Sequence, residues 1–375
     1  MADISKYAEG LKVIGLMSGT SLDGIDAALL DTDGEGVVRP GPGLTVSYDS
    51  QTRALLRAAL DTARDFIPGT PVPPSIREAE RVSTQAHAGA IQALLQKTGL
   101  VAADVALIGY HGQTILHRPE QHFTWQIGDG ELLARLTGID VVNDFRSADV
   151  AAGGQGAPLM PLYHAALSRQ DLRGPLVVVN IGGVGNVTYI DGDTVLAFDS
   201  GPGNAPIDDW MHRHTGKPVD KDGALARSGQ INEAALARML ANPYFDRLPP
   251  KSLDRLDFGI EVVEGLIPAD GAATLTAFTA AAFARAREHF PHYVPMWIVC
   301  GGGRHNSFLM EQLRGRLDGQ VCKAEDAGWD GDALEAQGFA YLAARSKKGL
   351  PLSLPTTTGV KEPVTGGLFH SKGQS

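Results

Sequence analysis

The chain has 375 residues, of which 43% are hydrophobic and 20% charged, a composition typical of folded proteins rather than disordered ones. This length accommodates two domains with separate cores. The formal net charge of −10 argues against a general nucleic-acid binder, because a phosphate backbone requires a basic surface. An anionic nucleotide can still bind where backbone N–H groups and Mg²⁺ offset its charge.

Cysteine usage and hydrophobic runs predict a cellular compartment. The only two cysteines, Cys300 and Cys322, do not make a disulfide framework in a chain of this length. Residues 1–10 lack the apolar core of a secretory leader, and no apolar run reaches the length of a membrane span. We therefore expect a cytoplasmic protein with no membrane partner.

Two parts of the chain begin with the same pattern of strand, glycine-containing turn and strand. In the first, the polar turn 18–24 joins the apolar segments 13–17 and 25–30. In the second, the turn 182–186 follows the apolar segment 176–181 and leads into another apolar run. This repeat predicts a duplicated α/β domain with a cleft between the two copies.

Three glycine-rich turns follow predicted buried strands, at residues 18–24, 182–186 and 301–306. Such turns present backbone N–H groups and hydroxyls that bind phosphate oxygens, and glycine permits a close approach. The plain alternative is that each turn is merely tight. None carries the Gly-Lys-Ser/Thr of a P-loop, and a strand rather than a helix follows Gly185, so a dinucleotide oxidoreductase is disfavoured.

Several charged residues are candidates for chemistry. Asp199 ends a predicted strand and suits a general base, an Asx-turn or a helix cap. Asp23 suits either an orienting contact to Mg²⁺-bound water or a bond to its own turn. Arg146 suits a substrate carboxylate or a surface ion pair, and Glu335, on a predicted helix, contacts ligand or is solvated. The eleven histidines lack zinc-binding spacing, so no metal ligand is assigned.

Seven short motifs together resemble the anhydro-N-acetylmuramic acid kinase family. They occur in the family's order between residue 12 and about residue 345. They are GLMSGTSLDG at 15–24, HGQT at 111–114, DFR at 144–146, GGQGAPL at 153–159, NIGG at 180–183, FDSGPGN at 198–204 and CGGG at 300–303. Any one of these motifs alone is unspecific, and the set is specific.

The resemblance implies an α/β fold with two actin/ribonuclease H-like domains, each a mixed sheet flanked by helices, and an ATP cleft between them. The first domain is expected at residues 1–150, completed by a C-terminal helix at about 333–346. The second is expected at residues 151–332. Residues 349–375, rich in proline, threonine and glycine, are expected to form a loosely ordered tail.

The resemblance also implies an activity and its cofactors. Water opens the 1,6-anhydro ring of anhydro-N-acetylmuramic acid while ATP, with Mg²⁺, phosphorylates O6. The product is N-acetylmuramic acid 6-phosphate, an intermediate of cell-wall recycling, and the expected assembly is a homodimer.

By the same resemblance, site residues receive roles. Asp199 is expected to be the base that activates water, Arg146 to bind the lactyl carboxylate, and Thr114 and Glu335 to contact the sugar. The expected nucleotide-binding set is Gly19, Thr20, Ser21, Leu22, Asp23, Gly24, Ile25, Asp26, Gly182, Gly183, Gly301, Gly302 and Gly303.

Two other functions remain open on the sequence. One is a kinase of the same fold that acts on another sugar or on a small carboxylate such as acetate. The other is a nucleotide switch without an enzymatic product, similar to actin or Hsp70, in which Asp199 is dispensable.

Overall fold

The computed structural model describes residues 10–19, 21–172, 174–255 and 257–373. The chain divides into two compact units, unit 1 from Met1–Asp171 with Asp332–Ser375 and unit 2 from Leu172–Gly331. The predicted boundary at residue 150 is therefore too early. The helix Pro161–Asp171 belongs to unit 1, where the Tyr163 hydroxyl donates to Gln337 Oε1 at 3.0 Å.

Twelve strands and twelve α-helices lie within the described residues. The strands are β1 Leu11–Ser18, β2 Gly24–Thr32, β3 Val38–Ser47, β4 Leu107–Arg118, β5 Phe123–Ile127, β6 Val141–Asn143, β7 Leu176–Ile181, β8 Val184–Asp191, β9 Thr194–Pro202, β10 Met296–Cys300, β11 Gln320–Lys323 and β12 Leu368–His370. The helices are α1 Ser50–Ala63, α2 Pro74–Thr98, α3 Gly130–Thr137, α4 Ser147–Ala151, α5 Pro161–Asp171, α6 Ala205–Thr215, α7 Ala224–Arg227, α8 Glu233–Leu240, α9 Pro268–Ala286, α10 Ser307–Arg314, α11 Leu334–Lys347 and α12 Pro355–Thr358. None of these helices combines the length and apolar character needed to cross a lipid bilayer.

Unit 1 is built on a seven-stranded mixed sheet. Its order is β12-β6-β4-β1-β2-β3, with β5 paired to β4. Strands β1, β2 and β3 are antiparallel neighbours, whereas β4 runs parallel to β1 and β6 parallel to β4. Helix α11 packs directly on β1 and β4, because Gly15 and Gly109 have no side chains there. A Cβ at either glycine would collide with the backbone of Ala336 or Phe339.

Unit 2 repeats this arrangement with five strands in the order β11-β10-β7-β8-β9. Strands β7, β8 and β9 are antiparallel, while β10 runs parallel to β7 and β11 parallel to β10. The apolar strands β7 and β10 are almost fully buried, as expected for central strands covered on both faces. Both sheets thus place three antiparallel strands beside parallel ones, which confirms the predicted α/β fold with two ribonuclease H-like mixed sheets.

The prediction of a loosely ordered tail is wrong. Strand β12 pairs antiparallel with β6, with Leu368 opposite Asn143. The Thr358 hydroxyl, fully buried, donates to Asp149 Oδ2 at 2.6 Å. The tail is ordered because it pairs with the edge strand β6 and donates to Oδ2 of the buried Asp149 carboxylate.

Candidate functional site

The turn after β1 in unit 1 is fastened to β4 by side chains. The Ser18 hydroxyl donates to the Gly112 carbonyl at 2.9 Å, and Gln113 Nε2 donates to the Gly19 carbonyl at 3.1 Å. A Cβ built on Gly19 would meet only Ser21 Oγ, at 3.7 Å. The fold therefore does not itself require glycine at position 19, and the space beside it is open to a ligand.

The other residues predicted around this turn differ in what they offer a nucleotide. Leu22 and Ile25 are each 1% exposed and belong to the core of unit 1, so only their backbone is available. Gly24 is required by the fold, since a Cβ there would press against the Val46 carbonyl. Thr20 lies outside the described residues.

The two aspartates of this turn both have protein partners. Asp26 Oδ1 accepts from the Thr45 hydroxyl at 2.6 Å. The Asp23 carboxylate is exposed and lies 3.9 Å from Arg53 Nη2, a separation typical of a weak surface ion pair. Asp23 lies within the turn, and Asp26 lies on β2 directly after it.

Arg146 lies in a buried polar cluster of unit 1. Its Nε donates to His111 Nε2 at 3.1 Å and its Nη1 donates to the Gly156 carbonyl at 2.6 Å. The guanidinium carbon lies 6.0 Å from the centroid of the Phe339 ring. Burial lowers the pKa of Arg146 to about 10, which the Glu335 carboxylate partly offsets, so the guanidinium is charged at neutral pH. Arg146 is thus half-buried and bonded to His111 and Gly156, rather than exposed as a surface ion pair would leave it.

His111 must be neutral to hold Arg146 in this way. Burial, together with the neighbouring Arg146 charge, lowers the pKa of His111 well below its usual range. Neutral imidazole offers an acceptor lone pair at Nε2, which the Arg146 Nε–H uses. The sequence shows that the HGQT motif is polar but does not reveal this pairing, because the bond joins His111 on β4 to Arg146, which lies 35 positions along the chain.

Glu335 and Thr114 are the other predicted sugar contacts, and both lie in unit 1. Glu335 stands in the first turn of α11 and is close enough to Arg146 to affect its pKa. Thr114 Oγ1 accepts from Gln126 Nε2 at 3.2 Å, and the same amide donates to Thr124 Oγ1 at 2.8 Å. Gln126 on β5 is a polar neighbour that sequence reasoning missed, since it belongs to no conspicuous motif.

In unit 2 the turn between β7 and β8 is held by backbone bonds. The Asn204 N–H donates to the Gly182 carbonyl at 2.7 Å, and the Gly203 N–H donates to the Gly183 carbonyl at 3.0 Å. A Cβ on Gly203 would collide with the Gly182 carbonyl, so glycine is required there. The structure thus joins the predicted glycine turn to the start of helix α6.

Asp199 stands on β9 with its carboxylate in a buried setting. The Leu253 N–H donates to Asp199 Oδ2 at 2.9 Å. Burial raises the pKa of Asp199 to about 7, and the bond from Leu253 acts in the opposite direction. Asp199 is not a cap of α6, since the N-cap of that helix is Asn204. A carboxyl group with a pKa near neutrality is suited to proton transfer.

The third glycine turn borders a cavity of about 300 Å³ within unit 2. Its lining consists of Asn204, Ile207, Asp208, Val219, Asp220, Lys221, Asp222, Gly302, Gly303, His305 and Asn306. A Cβ on Gly303 would strike Ile181, whereas a Cβ on Gly302 would meet only Asn204 Nδ2, at 3.9 Å. Burial raises the pKa of Asp208, another lining residue, to about 7. The cavity is of a size that holds a small ligand such as a nucleoside.

Among the described residues, no group of three or more His, Cys, Asp or Glu side chains is placed to hold a metal ion. Mg²⁺ is often bound by only one or two carboxylates, with waters and phosphate oxygens completing its coordination. Asp23, within the first glycine turn, and Asp26, directly after it, fit that form of binding.

Comparison with known proteins gives a consistent result over almost the whole chain. The family model described as anhydro-N-acetylmuramic acid kinase matches residues 11–372. A protein of that name from Rhodospirillum rubrum is 56% identical over 369 residues, which cover 98% of this chain and 96% of the relative. Others of the same name are 53% identical in Paramagnetospirillum magneticum and 52% identical in Rhizorhabdus wittichii. These matches cover 95% of this chain and 99% and 98% of the relatives, respectively.

Proposed function

The chain belongs to the anhydro-N-acetylmuramic acid kinase family, phosphotransferases that act on a sugar hydroxyl, and on this basis we propose its full reaction. The protein opens 1,6-anhydro-N-acetylmuramic acid with water and transfers the γ-phosphoryl group of ATP to O6. The products are N-acetylmuramic acid 6-phosphate and ADP. The observation that carries this proposal is the half-buried Asp199 carboxylate, held by the Leu253 N–H, whose pKa of about 7 suits a base that activates water.

Asp199 acts as the general base in this reaction. In its deprotonated form it takes a proton from water as the water oxygen bonds to the anomeric carbon. The bond between that carbon and O6 breaks, and its electron pair goes to O6. O6 then bonds to the γ-phosphorus of ATP as the bond to the bridging oxygen breaks and ADP leaves. Asp199 finally releases its proton to solvent, so it returns to the reactive state.

Arg146 binds the lactyl carboxylate of the sugar. Two of its nitrogens donate to His111 and Gly156, which fixes the guanidinium and leaves Nη2 for the ligand. A partly buried cation held in this way pairs strongly with a carboxylate, because the ordering of its side chain is complete before the ligand arrives. Glu335 and Thr114 contribute hydrogen bonds to sugar hydroxyl or amide groups.

Backbone atoms and a cavity hold the nucleotide, without the Gly-Lys-Ser/Thr lysine of a P-loop. In unit 2 the nucleoside occupies the cavity beside Gly302, and the N–H groups of Gly182–Gly183 receive phosphate oxygens. In unit 1 the turn at Gly19 offers further N–H groups of this kind. Asp23 and Asp26 would hold Mg²⁺ through water, and the ion would neutralise phosphate charge.

An assay of product formation tests the proposed substrate. Purified protein is incubated with ATP, Mg²⁺ and 1,6-anhydro-N-acetylmuramic acid, and ADP and sugar phosphate are measured together. Equal amounts of the two products are expected. Parallel reactions contain N-acetylmuramic acid, whose O6 hydroxyl is already free, or acetate. Turnover with only these acceptors would favour the kinase of the same fold for another substrate.

We also infer the setting in which the protein works. A sugar with a 1,6-anhydro ring and a lactyl group derives from peptidoglycan, so the reaction recycles cell-wall sugar. A cytoplasmic location follows from the need for ATP. The family resemblance supports a homodimer, and light scattering after size-exclusion chromatography is expected to give twice the mass of one chain.

A further inference from the structure

A buried lysine lies behind Asp199 in unit 2. Lys251 is only 9% exposed. Its ammonium donates to the carbonyls of Tyr244 and Phe245, both at 3.1 Å, and lies 3.3 Å from His289 Nε2. Two carbonyls therefore accept from the ammonium. The His289 Nε2 atom, which also lies 3.3 Å from the Phe245 carbonyl, adds a third polar contact.

Two aromatic rings enclose the same ammonium. It lies 4.8 Å from the centroid of the Tyr244 ring and 5.6 Å from that of Phe198, the residue that precedes Asp199. Aromatic faces stabilise a cation at such distances. A lysine with this number of specific contacts is fixed in position rather than free to sample rotamers.

The segment that Lys251 fixes is the segment that holds Asp199. The Asp199 N–H donates to the Lys251 carbonyl at 2.9 Å, and the Leu253 N–H donates to the Asp199 carboxylate at 2.9 Å. The Tyr244 hydroxyl donates to the Asp199 carbonyl at 2.5 Å. Three groups of Asp199 thus bond to residues 244–253, and the Lys251 ammonium ties the two ends of that segment together.

We propose that Lys251 is a positioning residue for Asp199, and this inference rests on the function proposed above. The ammonium fastens residues 251–253 to the carbonyls of Tyr244 and Phe245. The Leu253 N–H is thereby kept on the Asp199 carboxylate, which it orients and whose charged form it stabilises. Lys251 itself touches no substrate in this account.

The electrostatic surroundings are consistent with this role. Burial lowers the pKa of Lys251 to about 8, so the ammonium is mostly protonated at neutral pH. Burial, followed by the Lys251 charge, lowers the pKa of His289, which favours the neutral ring beside the ammonium. The charged groups that surround Lys251 are Arg285, Arg247, Asp246 and Glu288.

The inference predicts a specific kinetic signature. Without the ammonium, the segment loosens and the Leu253 N–H leaves the Asp199 carboxylate. That hydrogen bond lowers the pKa of Asp199, so its loss raises the pKa and moves the acidic limb of the pH profile to higher pH. A lysine that served stability alone would not shift this limb.

The test compares Lys251→Met with Lys217→Met, which alters an exposed lysine of the same unit. The logarithm of kcat is recorded from pH 5 to 9 with saturating ATP and anhydro sugar. For Lys251→Met we expect the apparent pKa of the acidic limb to rise by about half a pH unit or more. We also expect kcat at pH 7 to fall about tenfold. The KM for ATP and the profile of Lys217→Met are expected to be unchanged. An acidic limb at the wild-type position would overturn the proposal.

A second variant and a second measurement keep the inference testable if Lys251→Met does not fold or the wild type shows no turnover. His289→Leu removes the ring nitrogen that contacts the ammonium but leaves Lys251 in place, and is expected to shift the limb in the same direction by less. If Lys251→Met does not fold, this variant decides the outcome. If the wild type does not turn over the anhydro sugar, the proposed function fails, but amide hydrogen exchange still tests the positioning. Faster exchange at Asp199 and Leu253 in Lys251→Met or His289→Leu would support it, and unchanged exchange would contradict it.

Discussion

The two units share a strand order but fasten their first glycine turns by different means. In unit 1, side chains of Ser18 and Gln113 bond to backbone carbonyls across β1 and β4. In unit 2, the N–H groups of Gly203 and Asn204 bond to the carbonyls of the turn itself. The same topology therefore does not require the same residues at the two turns.

Two half-buried charged residues predicted for the site are opposite in sign and lie in different units. In unit 1 the Arg146 guanidinium lies against a neutral His111, and in unit 2 the Asp199 carboxylate accepts from one backbone N–H. Burial favours the neutral form of each group, so it lowers the pKa of Arg146 to about 10 and raises that of Asp199 to about 7. Of these two pKa values, only that of Asp199 is close to physiological pH. On the proposed function, unit 2 therefore supplies the proton-transfer group and unit 1 a cation that stays charged at neutral pH.

The largest effect is expected from Asp199→Asn, which keeps the shape of the side chain and removes the base. We expect kcat to fall about 10²- to 10⁴-fold, measured by ADP release. In the wild type, kcat/KM is expected to fall tenfold per pH unit as the pH drops below about 7, because Asp199 becomes protonated. The exposed Asp318→Asn serves as a control. An unchanged kcat in Asp199→Asn would show that Asp199 is not the base.

The same substitution, Asp199→Asn, is expected to increase the free energy of unfolding although it lowers kcat. The folded-state pKa of Asp199 is raised, so its contribution to stability is present below pH 4 and is lost as the pH rises through about 7. Urea unfolding at pH 5 and pH 8 measures this. Relative to the wild type, Asp199→Asn is expected to gain about 1–3 kcal/mol more at pH 8 than at pH 5.

The cation of unit 1 is tested by Arg146→Lys. An ammonium is a point charge and cannot bond His111, Gly156 and a substrate carboxylate in the guanidinium's geometry. The KM for the sugar is expected to rise about 10- to 100-fold, with the KM for ATP unchanged. Arg135→Lys, at an exposed ion pair with Glu131, is the matched control. An equal rise in both KM values would place Arg146 outside sugar binding.

Substitutions at two glycines separate an effect on ligand binding from an effect on folding. Gly302→Ala adds a methyl group that meets little protein but borders the cavity of unit 2. We expect a roughly tenfold rise in the KM for ATP with nearly unchanged thermal stability. Gly15→Ala, by contrast, drives a methyl group into the backbone of α11 and is expected to lower stability by about 2–4 kcal/mol. An unaltered KM for ATP in Gly302→Ala would show that the nucleotide does not use this cavity.

The smallest effect concerns the C-terminal segment of unit 1. Thr358→Val removes the hydroxyl that donates to the buried Asp149, whose other oxygen accepts from the Gly156 N–H. The free energy of unfolding is expected to fall by about 1–3 kcal/mol, measured by urea unfolding. Thr70→Val, at an exposed hydroxyl, is the control and is expected to change little. Equal unfolding curves for both variants would mean that this segment does not support the fold.

Local sequence patterns predict much of this fold, since apolar runs ending in glycine turns mark β1, β7 and β10. The motif resemblance supplies Asp199 and Arg146. The partnership of Arg146 with His111 and the hold of Lys251 on Asp199 depend on long-range packing, which no local pattern encodes. The ordered tail was missed for the same reason. Its proline-rich composition is typical of a loose segment, and only the unpaired edge of β6 explains its structure.

Labelling with ¹⁸O water tests the central claim, that water opens the anhydro ring as O6 is phosphorylated. The protein turns over 1,6-anhydro-N-acetylmuramic acid and ATP in labelled water, and the product is reduced with borohydride at once to stop exchange at the anomeric carbon. Unlabelled product placed in the same water measures any residual exchange. The account predicts one ¹⁸O at C1 and none in the phosphate, with no labelled product from Asp199→Asn. A phosphorylated sugar without ¹⁸O at C1, or with label in the phosphate, would contradict it.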